Sequence, residues 1–144
     1  METRTQPILQ FEGVDIAEVK ASQQQPYNAK DESKNLNFHV SSKVFYPESN
    51  PLHFTIITEL KVGIAGFFDI SLLAFGRFST NQTAKSSTMK PFIDVNAPAI
   101  LFPYVRAFLS TLTSNMGTGI PPILLPPQIF AGELAEFEPK KSTE

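Results

Sequence analysis

The chain of 144 residues has no cysteine and no tryptophan. Without cysteine there can be no disulfide staple and no thiolate metal ligand, and the chain fits a reducing compartment. Charge is sparse at 18% of residues, and the 12 Lys+Arg are scattered along a chain of net charge −2. That excludes the basic face a nucleic-acid binder carries. Long apolar runs are missing too. Stretches such as Val62–Phe68 fall far short of the roughly 20 residues a membrane-spanning helix needs. The opening METRTQPILQ has no apolar h-region, so the expectation is a cytoplasmic protein without a secretory signal.

Reactive chemistry is equally scarce. Met116-Gly-Thr-Gly119 contains a Gly-x-Gly but lacks the third glycine, the Lys-Ser/Thr and the preceding strand of a phosphate loop. No Gly-x-Ser-x-Gly elbow occurs. The two histidines, His39 and His53, lack His-x-x-x-His spacing. These features predict a binding protein with no cofactor and no bound metal. What the chain does have is phenylalanine, 13 residues of it, and aromatics enrich both cores and interfaces.

Alternation of apolar and polar residues marks four strands. Leu9 and Phe11 share a side, after which the apolar phase slips at Gly13 to Val14 and Ile16, which predicts a β-bulge. Ser22–Lys34 reads as a polar loop, and Leu36, Phe38 and Val40 alternate with polar neighbours. After a Pro47–Pro51 turn, Phe54, Ile56, Leu60 and Val62 face away from His53, Thr55, Glu59 and Lys61. A turn at Ala65–Gly66 leads to Ile70, Leu72, Ala74 and Phe78, opposed by Asp69, Ser71, Leu73, Phe75 and Arg77. Short connections favour an antiparallel sheet.

The polar stretch Asn81–Lys90 reads as a crossover loop, after which Asn96 is a candidate N-cap. Leu101, Tyr104, Val105, Phe108, Leu109, Leu112 and Met116 recur at helical spacing, and Gly117 and Gly119 end the pattern. Pro103 is expected to reshape the first turns. Ile120–Pro127 holds four prolines and must be extended. A short second helix is expected around Phe130–Phe137. The fold class is therefore α+β: a four-stranded antiparallel sheet, a long C-terminal helix and a short second one. It forms a single domain over residues 1–137 with a flexible tail over 138–144. One helix and a half cannot cover both the sheet and the residual apolar groups Ile100 and Phe102, so self-association is expected.

The segment ILFPYVRAFLSTLTS resembles the helix of the export chaperone SecB, with Leu101, Phe102, Pro103, Tyr104 and Arg106 matching Leu-Phe-Pro-Tyr-x-Arg. The downstream ILLPPQIF resembles the same family's leucine and paired-proline segment at Leu125, Pro126, Pro127 and Phe130, with Ile129 in place of an Asn. The resemblance implies a homotetramer, a dimer of dimers. It also implies ATP-independent holding of unfolded precursor polypeptides in apolar grooves, and handover to the SecA translocation motor on acidic residues of the exposed sheet face. The match departs at Ser71, where the family carries an acid, and in the short, mixed tail. A SecB-like chaperone dedicated to a toxin–antitoxin pair is the neighbouring alternative. A small-molecule or lipid-binding α+β module is the alternative from another class.

Three residue sets follow. The client-peptide candidates are Phe45, Tyr46, Phe75, Phe78, Ile123, Leu124, Leu125 and Phe130. The proline-stiffened ribbon among them reads equally as a packing strap. The stripe Leu101, Tyr104, Val105, Arg106, Phe108, Leu109 and Leu112 is assigned to the core or an oligomer interface, with Arg106 pairing across it or solvated. Asp15, Glu18 and Asp69 are the candidate motor-docking acids; a solvated sheet face is the plainer reading.

Overall fold

A computed structural model of the chain describes residues 6–25, 36–116, 123–125 and 132–139. Four strands follow one another: β1 (Leu9–Gln23), β2 (Asn37–Phe45), β3 (His53–Ile64) and β4 (Phe68–Thr80). The helix α1 (Lys90–Ser114) comes next, and a two-residue strand, β5 (Ala135–Glu136), closes the order. One sheet runs β1-β4-β3-β2-β5, antiparallel throughout except for the parallel β2–β5 pair. The class is α+β with one sheet and a long C-terminal helix, built from five strands and one helix among the described residues.

The period-2 pattern decides the sheet. Phe54, Ile56, Leu60 and Val62 of β3 lie beside Phe78, Gly76, Leu72 and Ile70 of β4, and all point to one buried face. Thr58, on the same face, shares a 2.8 Å hydrogen bond with Ser42, so its hydroxyl is buried at little cost. The expected bulge is at Gly13, whose φ of 143° suits glycine, and the register shifts between Phe11 and Gly13. A second shift between Ile16 and Glu18 keeps β1 in phase for its last six residues, which the residue pattern did not reveal. Gly66 turns the chain between β3 and β4 at φ 83°.

The helix starts earlier than an Asn96 cap requires. Pro91 sits in the first turn, where its missing N–H costs nothing, and the Ser86 hydroxyl accepts a hydrogen bond from the Met89 amide. Asn96 therefore lies inside the helix, which continues through Pro98 and Pro103. It packs on the sheet through Ile93, Ala97, Leu101, Val105 and Leu109. Leu101 sits over Gly76, where an added Cβ would meet its Cδ atoms at 2.9 and 3.0 Å. By length and composition this helix could cross a membrane, but it buries one face against the sheet. Asn115 caps the helix, two residues before the first expected glycine; Gly117 and Gly119 lie outside the described residues.

The expected second helix is not formed over 132–139. Gly132 enters at φ 88°, and Ala135–Glu136 pair with Lys43–Val44 at the outer edge of β2. So short a segment cannot offset the cost of helix nucleation, whereas an open strand edge supplies partners at once. The tail expected over 138–144 is described only to Pro139.

Candidate functional site

The surface differs sharply between the two sides of the sheet. On the inner side, α1 leaves apolar groups in solvent: Phe92, Val95, Ile100 and Tyr104 are all exposed, and Phe92 and Ile100 border Pro7 and Leu9 at the β1 flank. Tyr104 leans on Phe11 of β1, with ring centroids 4.9 Å apart. Of the stripe named from the sequence, Leu101, Val105 and Leu109 have no exposed surface, and Phe108 and Leu112 are half-buried against the same core. Those residues hold helix to sheet inside one subunit. On α1, the large apolar groups left exposed are Phe92, Val95, Ile100 and Tyr104. Of the two residual apolar groups expected from the sequence, Ile100 is exposed, whereas Phe102 is buried in the core.

Beside the helix runs the described part of the ribbon. Ile123 and Leu125 are buried and Leu124 is 69% exposed, an extended strand-like alternation. Two polar groups of α1 clip it down. The Thr113 hydroxyl accepts a 2.8 Å hydrogen bond from the Ile123 amide and itself donates to the Leu109 carbonyl. Arg106 donates through Nε to the Leu125 carbonyl. Arg106 is thus engaged within its own subunit. The three described residues are strapped to α1, with Leu124 turned outward between the two clips. Phe130 lies outside the described residues.

At the end of β2, Phe45 and Tyr46 are half-buried beside β5. Phe45 meets Phe137 edge-on at 6.2 Å, and the Lys85 ammonium lies 5.7 Å above the Tyr46 ring while pairing with Glu136 at 3.2 Å. Burial raises the Tyr46 phenol above its ordinary pKa, and the carboxylates of Asp94 and Glu136 add to the rise. Phe75 is half-buried on the opposite side of the sheet, facing Ile57 across strands. Phe78 is fully buried and stacks on Phe54 at 5.0 Å, so it belongs to the core of the subunit.

The outer sheet face carries interleaved charges of both signs. Arg77 approaches Asp15 at 3.4 Å, Lys20 approaches Glu18 at 3.2 Å, and Lys61 approaches Glu59 at 3.3 Å. Asp69 accepts a hydrogen bond from the Gln24 side chain at 3.1 Å. Ser71 stands across from Lys61 on one side and Lys20 on the other. His53, at the start of β3, is 3.9 Å from Glu12, and His39, on β2, sits opposite Lys61, so the two histidines lie at opposite ends of the β2–β3 pair.

A family model described as preprotein translocase subunit SecB matches residues 9–134. The chain belongs to the SecB family. Its SecB-like fold also matches the solved SecB-like chaperone Rv1957 of Mycobacterium tuberculosis, in complex with a ChAD peptide from the HigA1 antitoxin. That match has a TM-score of 0.66 and 12% sequence identity, and covers 83% of this chain and 87% of that one. An uncharacterized protein of Methanocaldococcus jannaschii is 35% identical over 117 residues, 78% of this chain and 74% of the relative. The protein-export protein SecB of Gluconacetobacter diazotrophicus is 34% identical over 73 residues, 51% of this chain and 40% of that protein. The tandem of helix and proline ribbon that pointed to SecB from the sequence lies within the matched span.

Proposed function

We propose that this SecB-family chain is an ATP-independent, non-enzymatic holdase of the cytoplasm that keeps unfolded polypeptides from collapsing. The observation that carries this reading is the clipped strap: Thr113 and Arg106 fix the backbone of Ile123–Leu125, and the strap then offers Leu124 to solvent. Fixing an apolar group in water is unfavourable for a lone subunit. It suits a surface whose partner supplies the burial, and prior ordering lowers the entropy lost on binding. Apolar contact selects no particular sequence, which fits clients that share only being unfolded. Exposure of Phe92, Val95, Ile100 and Tyr104 supports assembly into the expected homotetramer, a dimer of dimers, and Phe45, Tyr46 and the strap supply client surface.

The test is aggregation of a refolding client without nucleotide. Suppression is expected at about one tetramer per client, from an assembly of about 64 kDa (four chains of 16.0 kDa). Leu124→Asp should weaken that suppression and leave the assembled mass unchanged. Aggregation unaffected at tenfold chaperone excess would defeat the holdase, and a 16 kDa particle with bound lipid would favour the cavity reading instead.

A narrower reading draws on the outer face. Motor docking on Asp15, Glu18 and Asp69 needs free acid, but Asp15 and Glu18 are each met by a cation, and Ser71 is bracketed by Lys20 and Lys61. Acids already paired with a cation attract a basic partner less than free ones would. This layout favours a chaperone dedicated to one client over one serving SecA, in line with the antitoxin peptide held by the Rv1957 chaperone. Binding of purified SecA at low salt, abolished by Asp15→Asn with Glu18→Gln, would restore the export role.

A further inference from the structure

The last described segment of the chain is bound to its own sheet in the manner of a ligand. Ala135–Glu136 add to the outer edge of β2 as a parallel strand, and the Phe137 amide donates to the Val44 carbonyl at 2.8 Å. Side chains to either side of that short ladder make separate contacts. Glu136 pairs with Lys85, Phe137 sets its ring edge-on to Phe45, and Leu134 packs on the core. Main-chain bonds with alternate side-chain anchors are how strand addition recognises an extended peptide.

The occupancy is shallow. The ladder is two residues long, the Lys85–Glu136 pair is exposed, and Phe137 keeps 36% of its surface in solvent. An open cavity of about 740 Å³ remains between this segment and the Tyr46–Ser49 turn. Among the described residues, Asn37–Ser42 of β2 have no strand partner on the same edge. The site is therefore wider than the segment that sits in it.

We infer that residues 134–137 are a built-in, displaceable occupant of the β2 edge. The edge accepts an extended peptide running parallel to β2, in which an acidic residue is followed directly by an aromatic one. The acid meets Lys85, the aromatic ring meets Phe45, and the backbone takes the bonds now made to Val44. This rests on the reading that the chain binds extended polypeptide, and it adds a sequence preference and an intramolecular competitor to it. A tethered competitor acts at an effective concentration on the order of millimolar. A free peptide must therefore displace it, and the site opens only to ligands that fit better or reach further along the edge.

The probe is a fluorescein-labelled octapeptide of the chain's own residues 132–139, GELAEFEP, titrated into the full chain. Weak binding is expected with the natural chain. Phe137→Ala in the chain should tighten it about fivefold or more, and Phe137→Pro, which also removes the amide donor, should tighten it further. Circular dichroism should show both variants folded, because the segment lies at the rim of the sheet. In the Phe137→Ala background, Lys85→Glu should undo the gain, and a peptide carrying Lys in place of its second glutamate should recover it. Equal affinity for the natural and Phe137→Ala chains, or indifference to Lys85→Glu, overturns the inference. Client holding is scored separately. Suppressed aggregation with no gain in peptide affinity overturns this inference alone, whereas the gain without suppression supports it and overturns the holdase.

Discussion

The two faces of α1 are made from the same kinds of residue and have opposite fates. Ile93, Ala97, Leu101, Val105 and Leu109 are 0% exposed, while Phe92, Val95, Ile100 and Tyr104 keep 37–49% of their surface in water. Leu101 and Ile100 are adjacent and similarly apolar, yet a rotation of about 100° around the helix leaves one sealed and the other partly in water. Hydrophobicity therefore does not distinguish a residue that holds the subunit together from one free to hold another chain. Only the position of the sheet does.

Substitution at that adjacent pair is the hardest test of the contrast. Leu101→Ala should cost about 2–5 kcal/mol, read as a fall in the urea midpoint, because it opens a void over Gly76. Ile100→Ala should cost under about 1 kcal/mol of subunit stability. Similar losses at both positions would mean that the outer face is packed as tightly as the inner one. The strap separates the faces next. Thr113→Val leaves the Ile123 amide without its acceptor and should cost about 1–3 kcal/mol. The same variant should raise proteolysis near Leu124.

A smaller energetic effect with a large readout belongs to the exposed groups of α1. Ile100→Asp should shift the assembly toward a 16.0 kDa particle, seen by native mass spectrometry, while the helical dichroism persists. The smallest effect is a pH dependence. Tyr46 holds its proton more tightly folded than unfolded, so its contribution is complete below an unfolded pKa near 10 and is lost as pH rises through the higher folded value. Thermal melts above pH 10 should fall more steeply for the natural chain than for Tyr46→Phe.

Much of the architecture was legible before the fold was known. Strands β2 to β4 follow from strict alternation, and the Gly13 bulge from a phase slip at a residue that tolerates φ of 143°. The candidate site was legible only in part. Leu124, Phe45 and Tyr46 are where a partner could reach them, but Phe78, drawn from the same aromatic set, is sealed against Phe54. Arg106, read from the sequence as an interface or a solvated residue, donates to the Leu125 carbonyl, a partner 19 positions away that no local pattern reveals. The segment around Phe130–Phe137 kept enough apolar residues to suggest a helix, and nothing nearby in the chain announced the open edge of β2 that pairs with Ala135–Glu136.

Local periodicity and backbone stereochemistry thus determined four alternating strands and one long apolar helix. The tertiary structure decided which helix face is core, which residue the strap turns outward, and what the last segment becomes. Each of those depends on a partner far away in sequence, and burial, unlike alternation, is a property of the partner as much as of the residue.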